Sequence, residues 1–173
     1  MEINFKPKKT TLARIEATNQ FPTVISIPSF PLEGKESVVP HERFFGQLKG
    51  MFTGNYRSFF MKSDIQHFLN DIVWEMVKNS IEHAHKHDTQ KYVTIAFWFG
   101  NKGVLFALKD EGSFYGVPSV KEKIENRQKI ESTRLNDPGG DGIDEMYQWA
   151  DEIFVDVEEK ALYISYILKE KNK

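Results

Sequence analysis

Three polar side chains suited to chemistry, Glu75, Asn79 and His83, stand four residues apart in a stretch of otherwise apolar periodicity. At about 100° per residue, Asn79 and His83 project into the apolar arc of a helix, and Glu75 lies at its edge. A polar group buried there costs about 1–3 kcal/mol unless it is paired. Hydrogen bonds to nearby backbone would meet that need. Alternatively, an amide oxygen can ligate Mg²⁺ beside phosphate oxygens, and a carboxylate one turn earlier can take up a proton.

Two later stretches carry acceptor or anion-binding chemistry. Asp110, Glu111 and Gly112 follow an apolar strand pattern, so Asp110 would offer an acceptor from a rigid strand end and Gly112 would allow close approach. An Asp in this position is most often only a turn residue. Residues 139–142, Gly-Gly-Asp-Gly, precede a helical pattern, where unpaired N–H groups and the helix dipole can bind an anion. Neither stretch is specific by itself.

The helix that must position the first group is predicted to begin at Ser63. Ser63 and Gln66 have the spacing of a capping box, and apolar residues then recur at helical spacing as far as Val77. Two further helices are predicted, one at about residues 41–52 and one after Gly142.

Strand patterns surround this central helix. The β-branched run at 24–27, closed by Pro28, predicts an edge strand. Alternating or apolar runs predict two hairpins, the first joined by the glycine-bearing turn at 100–103; their strands are 92–99, 104–108, 153–157 and 162–168. The order β, α, α, β, β, loop, α, β, β favours an α+β fold. We expect a two-layer α/β sandwich, with a mostly antiparallel mixed sheet covered by helices on one face.

Three motifs occur in a fixed order along the chain. They are E-x-x-x-N-x-x-x-H-A at residues 75–84, D-x-G at 110–112, and G-G-x-G followed by a hydrophobic residue at 139–143. In this combination the chain resembles the GHKL ATPase superfamily over roughly residues 25–168. Within it, residues 75–84 and 146–153 are similar to the anti-sigma factor serine/threonine kinases. The resemblance implies a Bergerat-type ATP-binding fold with ATP and Mg²⁺ as cofactors.

The resemblance also implies roles for individual residues. Glu75 would be the catalytic residue that orients or deprotonates the attacking water or hydroxyl, and Asn79 would coordinate Mg²⁺. Asp110 would accept a hydrogen bond from the adenine amino group, with Gly112 beside it. His83 would line or support the pocket floor. The loop and helix start that wrap the phosphates would comprise Gly139, Gly140, Gly142 and Ile143.

The glycine loop departs from the family pattern. Pro138 replaces a common first glycine, and Asp141 and Asp144 stand where small or apolar residues are usual. Carboxylates beside a triphosphate repel it. Binding without hydrolysis is therefore the main alternative: a non-catalytic protein-interaction module of the same fold that sequesters a partner.

Other site and family readings are disfavoured. His83, His85 and His87 suggest a metal site, but side chains two residues apart on a helix point in different directions. Sensor histidine kinases need a helical hairpin with a phosphoacceptor histidine, and topoisomerases and chaperones need further domains, none of which the sequence pattern predicts.

Composition limits the class of protein. With 23 Lys and Arg against 25 Asp and Glu, the net charge of −2 gives no basic excess for nucleic acid. The absence of cysteine excludes disulfides and thiolate chemistry. No run of about 18 apolar residues predicts a membrane span. We expect a cytoplasmic protein with no nucleic-acid or membrane partner, in which residues 1–20 are flexible and residues 21–173 form the ATPase domain.

The resemblance implies an ATP- and Mg²⁺-binding domain that acts as a serine/threonine protein kinase or ATPase in a bacterial, anti-sigma-like regulatory switch. The expected partner is a protein, an anti-anti-sigma-like or sigma-like regulator. A homodimer is also compatible with the sequence, and the identities of the partner and the acceptor residue are left open.

Overall fold

Five strands form one antiparallel sheet at the centre of this computed structural model, which describes residues 5–19, 21–29, 63–86, 88–112 and 150–168 and the single positions 42, 46, 50, 122, 146 and 149. The sheet order is β1-β2-β3-β5-β4, and all four pairings are antiparallel. The α+β prediction is confirmed. The strands are β1 (Thr23–Pro28), β2 (Tyr92–Phe99), β3 (Gly103–Asp110), β4 (Glu152–Asp156) and β5 (Ala161–Ile167).

Local sequence explains where the strands end. β1 pairs only with β2 in the described sheet, and Pro28, which has no N–H to donate, lies at its last position opposite Tyr92. β2 and β3 are joined by a tight turn in which the Gly100 N–H donates to the Gly103 carbonyl at 2.9 Å. The predicted edge strand and the first predicted hairpin are therefore both confirmed.

A continuous helix, residues 63–85, crosses one face of the sheet and is called the central helix. It begins at Ser63 as predicted and alternates between α- and π-helical segments: α2 (Ser63–His67), π1 (Phe68–Val73), α3 (Trp74–Asn79) and π2 (Ser80–His85). It ends at Lys86, whose φ of 52° is left-handed. The described apolar residues of the central helix that are fully or nearly fully buried against the sheet are Ile65, Phe68, Leu69, Ile72, Val73, Met76, Val77 and Ile81.

The opposite face of the sheet is covered by the N-terminal segment. Helix α1 (Lys9–Arg14) and the residues beside it bring Phe5 and Ile15 onto that face. The Phe5 ring meets Trp98 and Tyr163 edge-on, with centroid distances of 6.2 and 6.5 Å. We call this group the outer-face cluster; it comprises Phe5, Ile15, Ala96, Trp98, Leu105, Ala107, Ala161 and Tyr163. The sheet is therefore covered on both faces, and not only on the predicted one.

Polar contacts anchor α1 to the sheet. Thr11 donates a hydrogen bond to Glu152 at 2.7 Å, and Lys8 forms an ion pair with the same carboxylate at 3.1 Å. Burial raises the pKa of Glu152, but the hydrogen bonds from Thr11 and Lys8 outweigh it and hold that pKa below its usual value. At the other end of α1, the Ile15 and Glu16 carbonyls accept hydrogen bonds from the Lys102 and Asn101 N–H groups. Residues 5–17 are thus packed and hydrogen-bonded against the sheet. The flexibility expected of residues 1–20 stays a prediction.

Part of the predicted architecture lies outside the described residues. Of the helix expected at 41–52, the structure describes positions 42, 46 and 50, which are helical, and of the helix after Gly142 it describes the helical positions 146 and 149. Met146 is buried and belongs to the same hydrophobic core as the central helix and the sheet. Within the described ranges, no helix combines the length and apolarity needed to cross a membrane.

Candidate functional site

Glu75 and Asn79 share one face of α3, the α-helical segment between the two π-helical ones. They stand at i and i+4, one turn apart, and both are half-buried. π-helical turns are rare and are found frequently at functional sites. The predicted pair of a carboxylate and an amide therefore lies on regular, rigid backbone between two irregular segments.

The Glu75 carboxylate is already engaged within the helix. Lys78 Nζ lies 2.7 Å from Glu75 Oε1. The exposed fraction of the side chain is 34% for Lys78 and 27% for Glu75. This i, i+3 ion pair occupies one carboxylate oxygen with a donor. For Glu75 to take up a proton from a substrate, it must use its other oxygen or Lys78 must move. Lys78 was not among the predicted neighbours of the candidate base, although its i, i+3 spacing from Glu75 is a signal for such an ion pair.

The histidine that the helix buries is His85, and His83 is exposed. In π2, hydrogen bonds run from i to i+5, so residues five apart share a face. Ser80, Ile81 and His85 are accordingly buried, whereas the His83 side chain is 56% exposed and lies 4.0 Å from Glu82. The prediction that His83 lies in the apolar arc assumed an α-helical repeat, and it is wrong because the helix changes its period after Asn79. A pocket-lining role for His83 stays a prediction.

Gly112 brings the end of β3 against the end of the central helix. A Cβ atom on Gly112 would lie 2.3 Å from the Ala84 carbonyl oxygen and 2.5 Å from the Ala84 Cβ. The two backbone segments can approach this closely only because glycine has no side chain. The first two motifs, which are separated by 25 residues or more in sequence, therefore meet at Ala84 and Gly112.

The Asp110 carboxylate, two residues before Gly112, affects the pKa of the buried His85. Asp110 ends β3, pairs with Val93 in the sheet and is only 8% exposed. Burial lowers the pKa of His85, and the negative charge of Asp110 opposes that effect without reversing it. Burial therefore favours the neutral form of the His85 imidazole. The sequence did not distinguish His85 from the neighbouring histidines, because the prediction assumed an α-helical repeat and this segment is π-helical.

The third motif falls outside the described residues. This applies to Gly139, Gly140, Gly142 and Ile143, and also to Pro138, Asp141 and Asp144. Their roles remain predictions. Among the residues that are described, no three His, Asp or Glu side chains are grouped so as to hold a metal ion. Asn79, whose ligand atom would be an amide oxygen, remains the predicted Mg²⁺ contact.

Substitution of Gly112 by alanine should destabilise the protein. The new Cβ would overlap the Ala84 backbone, and overpacking of this kind costs about 1–3 kcal/mol. We expect Gly112→Ala to lower the free energy of unfolding by that amount in urea denaturation. Gly50→Ala is the matched control, because no atom of the described residues lies within 4 Å of a Cβ at that position. Equal effects of the two substitutions would contradict the close approach.

Comparison with known proteins identifies one family model. The model described as a histidine kinase-like ATPase domain matches residues 57–165, more than half of the 173-residue chain. The match includes the central helix from Ser63, both motifs that meet at Gly112, and strands β2 to β4. No curated protein matched the chain.

Proposed function

Because this chain belongs to the histidine kinase-like ATPase domain family and is thus a GHKL-type ATP-binding domain, we propose that it binds ATP with Mg²⁺ and phosphorylates a serine or threonine of a protein partner. The partner would be a regulator of the anti-anti-sigma or sigma type, in a cytoplasmic bacterial switch. Family membership supports nucleotide binding, and the similarity of residues 75–84 and 146–153 to anti-sigma factor kinases supports the choice of reaction.

The observation that carries the proposal is the meeting of the first two motifs at Ala84 and Gly112. It brings the Asp110 strand end to the helix that also bears Glu75 and Asn79. Because Gly112 has no Cβ, the Ala84 backbone can approach it directly, and the strand end and the helix end are held together. The donors fit as well, since a carboxylate at a strand end accepts hydrogen bonds from an amino group and an amide oxygen is a hard ligand for Mg²⁺.

Each described residue has one task in the proposed reaction. Asp110 would accept a hydrogen bond from the adenine amino group, and Asn79 would hold the Mg²⁺ ion. When bound, Mg²⁺ neutralises charge on the phosphate oxygens. Glu75 would take up the proton of the acceptor hydroxyl as the hydroxyl oxygen forms a bond to the γ-phosphorus. The bond between the γ-phosphorus and the bridging β,γ-oxygen breaks at the same time, and ADP leaves. The backbone at Gly139, Gly140, Gly142 and Ile143 would wrap the phosphates, with His83 at the pocket edge.

A specific contact favours a second candidate function. The ion pair between Lys78 and Glu75 at 2.7 Å leaves the candidate base less able to accept a proton. With Glu75 held in this way, the domain would bind ATP without hydrolysing it and would act by sequestering its protein partner. Nucleotide binding is common to both functions, so it is the first property to measure.

Titration calorimetry with ATP tests the shared step. We expect wild-type protein to bind ATP in the presence of Mg²⁺ and more weakly in EDTA. Asn79→Ala should weaken binding by about 10- to 100-fold, because loss of a contact to a charged group costs about 1.5–3 kcal/mol. The reduction should be confined to titrations that contain Mg²⁺.

Asn101→Ala provides the matched control for this titration. Asn101 is exposed in the β2–β3 turn, beside the carboxyl end of α1 and remote from Gly112 along β3. It should bind ATP like the wild type. Absence of binding by wild-type protein would overturn the proposed function, and equal affinities of Asn79→Ala and wild type would remove Asn79 from it.

A further inference from the structure

His85 is a buried polar side chain whose bonding is incomplete. It is 1% exposed, and within the described part of the chain neither ring nitrogen has a hydrogen-bond partner. Buried polar groups are nearly always hydrogen-bonded, because leaving water without a new partner costs free energy. The position therefore points to a partner that is not part of the described chain.

The location of His85 indicates what that partner is. His85 follows Ala84, the residue that packs against Gly112. The charged groups that act on its ring come from three elements: Asp110 and Glu111 at the end of β3, Lys91 immediately before β2, and Asp88 in the connection from the central helix. Asp110 is the residue proposed above to accept from the adenine amino group, so His85 lies beside the proposed base site.

The chemistry of the two side chains matches one edge of adenine. That edge carries an amino donor next to the N1 acceptor, and guanine carries an acceptor oxygen next to an N1–H donor at the same places. A carboxylate accepts, and a neutral imidazole offers one N–H donor and one acceptor. We propose that His85 is a second base-recognising residue, which donates to N1 of adenine while Asp110 accepts from the amino group, so that the pair selects adenine over guanine. This inference rests on the proposed ATP binding.

A site built from fixed donors and acceptors discriminates strongly against a base that leaves them unpaired. Guanine would place its oxygen against the Asp110 carboxylate and its N1–H against the imidazole N–H. Both contacts are between like groups, so the mismatch is double. His85 would then contribute to selectivity as well as to affinity, and a residue that only fills space would not.

The test pairs a change in the ligand with a change in the protein. Calorimetry with ATP, 1-deaza-ATP, which has C–H in place of N1, and GTP is carried out on the wild type, His85→Phe and His85→Gln. We expect wild type to bind 1-deaza-ATP about 10-fold more weakly than ATP, the effect of about 1.4 kcal/mol. His85→Phe should bind the two equally and show a smaller preference for ATP over GTP. His85→Gln, which keeps an N–H donor, should retain part of the preference.

The outcomes separate this inference from the proposed function. Equal binding of ATP and 1-deaza-ATP by the wild type overturns the role of His85 even if the variants fail to fold, and leaves ATP binding intact. An unchanged ratio of ATP to 1-deaza-ATP affinity in His85→Phe overturns it as well. His67→Phe is the control, since His67 is an exposed histidine at the other end of the central helix and has no role in the proposed site. Failure of the wild type to bind any of the three nucleotides overturns both proposals.

Discussion

Replacement of Glu75 by glutamine should slow phosphoryl transfer by about 10²–10⁴-fold, the usual contribution of a general base, while ATP affinity changes little. Glutamine keeps the size of the side chain and its hydrogen-bonding capacity but cannot take up a proton. Turnover is measured as ADP release at saturating ATP, and affinity by titration of the same preparations. A fall in turnover without a fall in affinity identifies Glu75 as the residue that acts on the reacting atoms.

Lys78→Met provides the complementary result. Lys78 Nζ contacts Glu75 Oε1 at 2.7 Å, so its removal releases the carboxylate. If the ion pair restrains the base, the turnover of Lys78→Met should exceed that of the wild type. Glu82→Gln, an exposed carboxylate one turn further along the central helix, is the matched control and should behave like the wild type. Equal, measurable turnover of Glu75→Gln and wild type would exclude Glu75 as the base, and ATP binding without ADP release from either protein would favour the interaction module.

Truncation of Ile15 to alanine should lower the free energy of unfolding by about 2–5 kcal/mol. Ile15 is fully buried in the outer-face cluster, and its carbonyl accepts a hydrogen bond from the Lys102 N–H at 3.0 Å. The substitution leaves the backbone bond in place and removes only side-chain packing, so the loss can be read directly from urea denaturation at neutral pH.

The control for Ile15 is Val24→Ala. Val24 is a partly exposed aliphatic residue in β1, and its truncation should cost less than about 1 kcal/mol. Equal losses for the two substitutions would mean that the N-terminal segment contributes no packing, as the polar composition of residues 1–20 predicted. A large loss confined to Ile15→Ala would establish α1 as part of the folded domain.

The strands were predictable because their signals are local. β2 and the β4–β5 hairpin fall within one residue of the predicted bounds at each end, since alternation and β-branching at these positions reflect the burial they meet in the sheet. Pro28 marked the edge strand for a reason that needs no knowledge of the fold, namely the missing donor. The core residues between 65 and 77 were also predictable, because apolar residues recur there at the spacing of one helix face.

The features that were missed depend on tertiary contacts or on a change of helical period. α1 is polar except for a few residues, and the burial of Phe5 and Ile15 depends on an apolar sheet face built from residues about 80–160 positions later in the chain. His85 is buried in place of His83 because π2 has a different helical repeat. Hydrophobic spacing that is evaluated with a single repeat cannot detect a change of repeat within one helix. The meeting of Gly112 and Ala84 was anticipated only as close approach to an unnamed neighbour.

The outer-face cluster contains Trp98, whose fluorescence can report on that face of the protein. Of its three tryptophans, Trp98 lies against Phe5 on the outer face, whereas Trp74 and Trp149 pack on the side of the central helix. Fluorescence from Trp98 alone, with the other two replaced by phenylalanine, would therefore follow the docking of α1. Fluorescence from Trp74 or Trp149 would instead follow events around the central helix, so emission can resolve the two faces of one sheet in the same molecule.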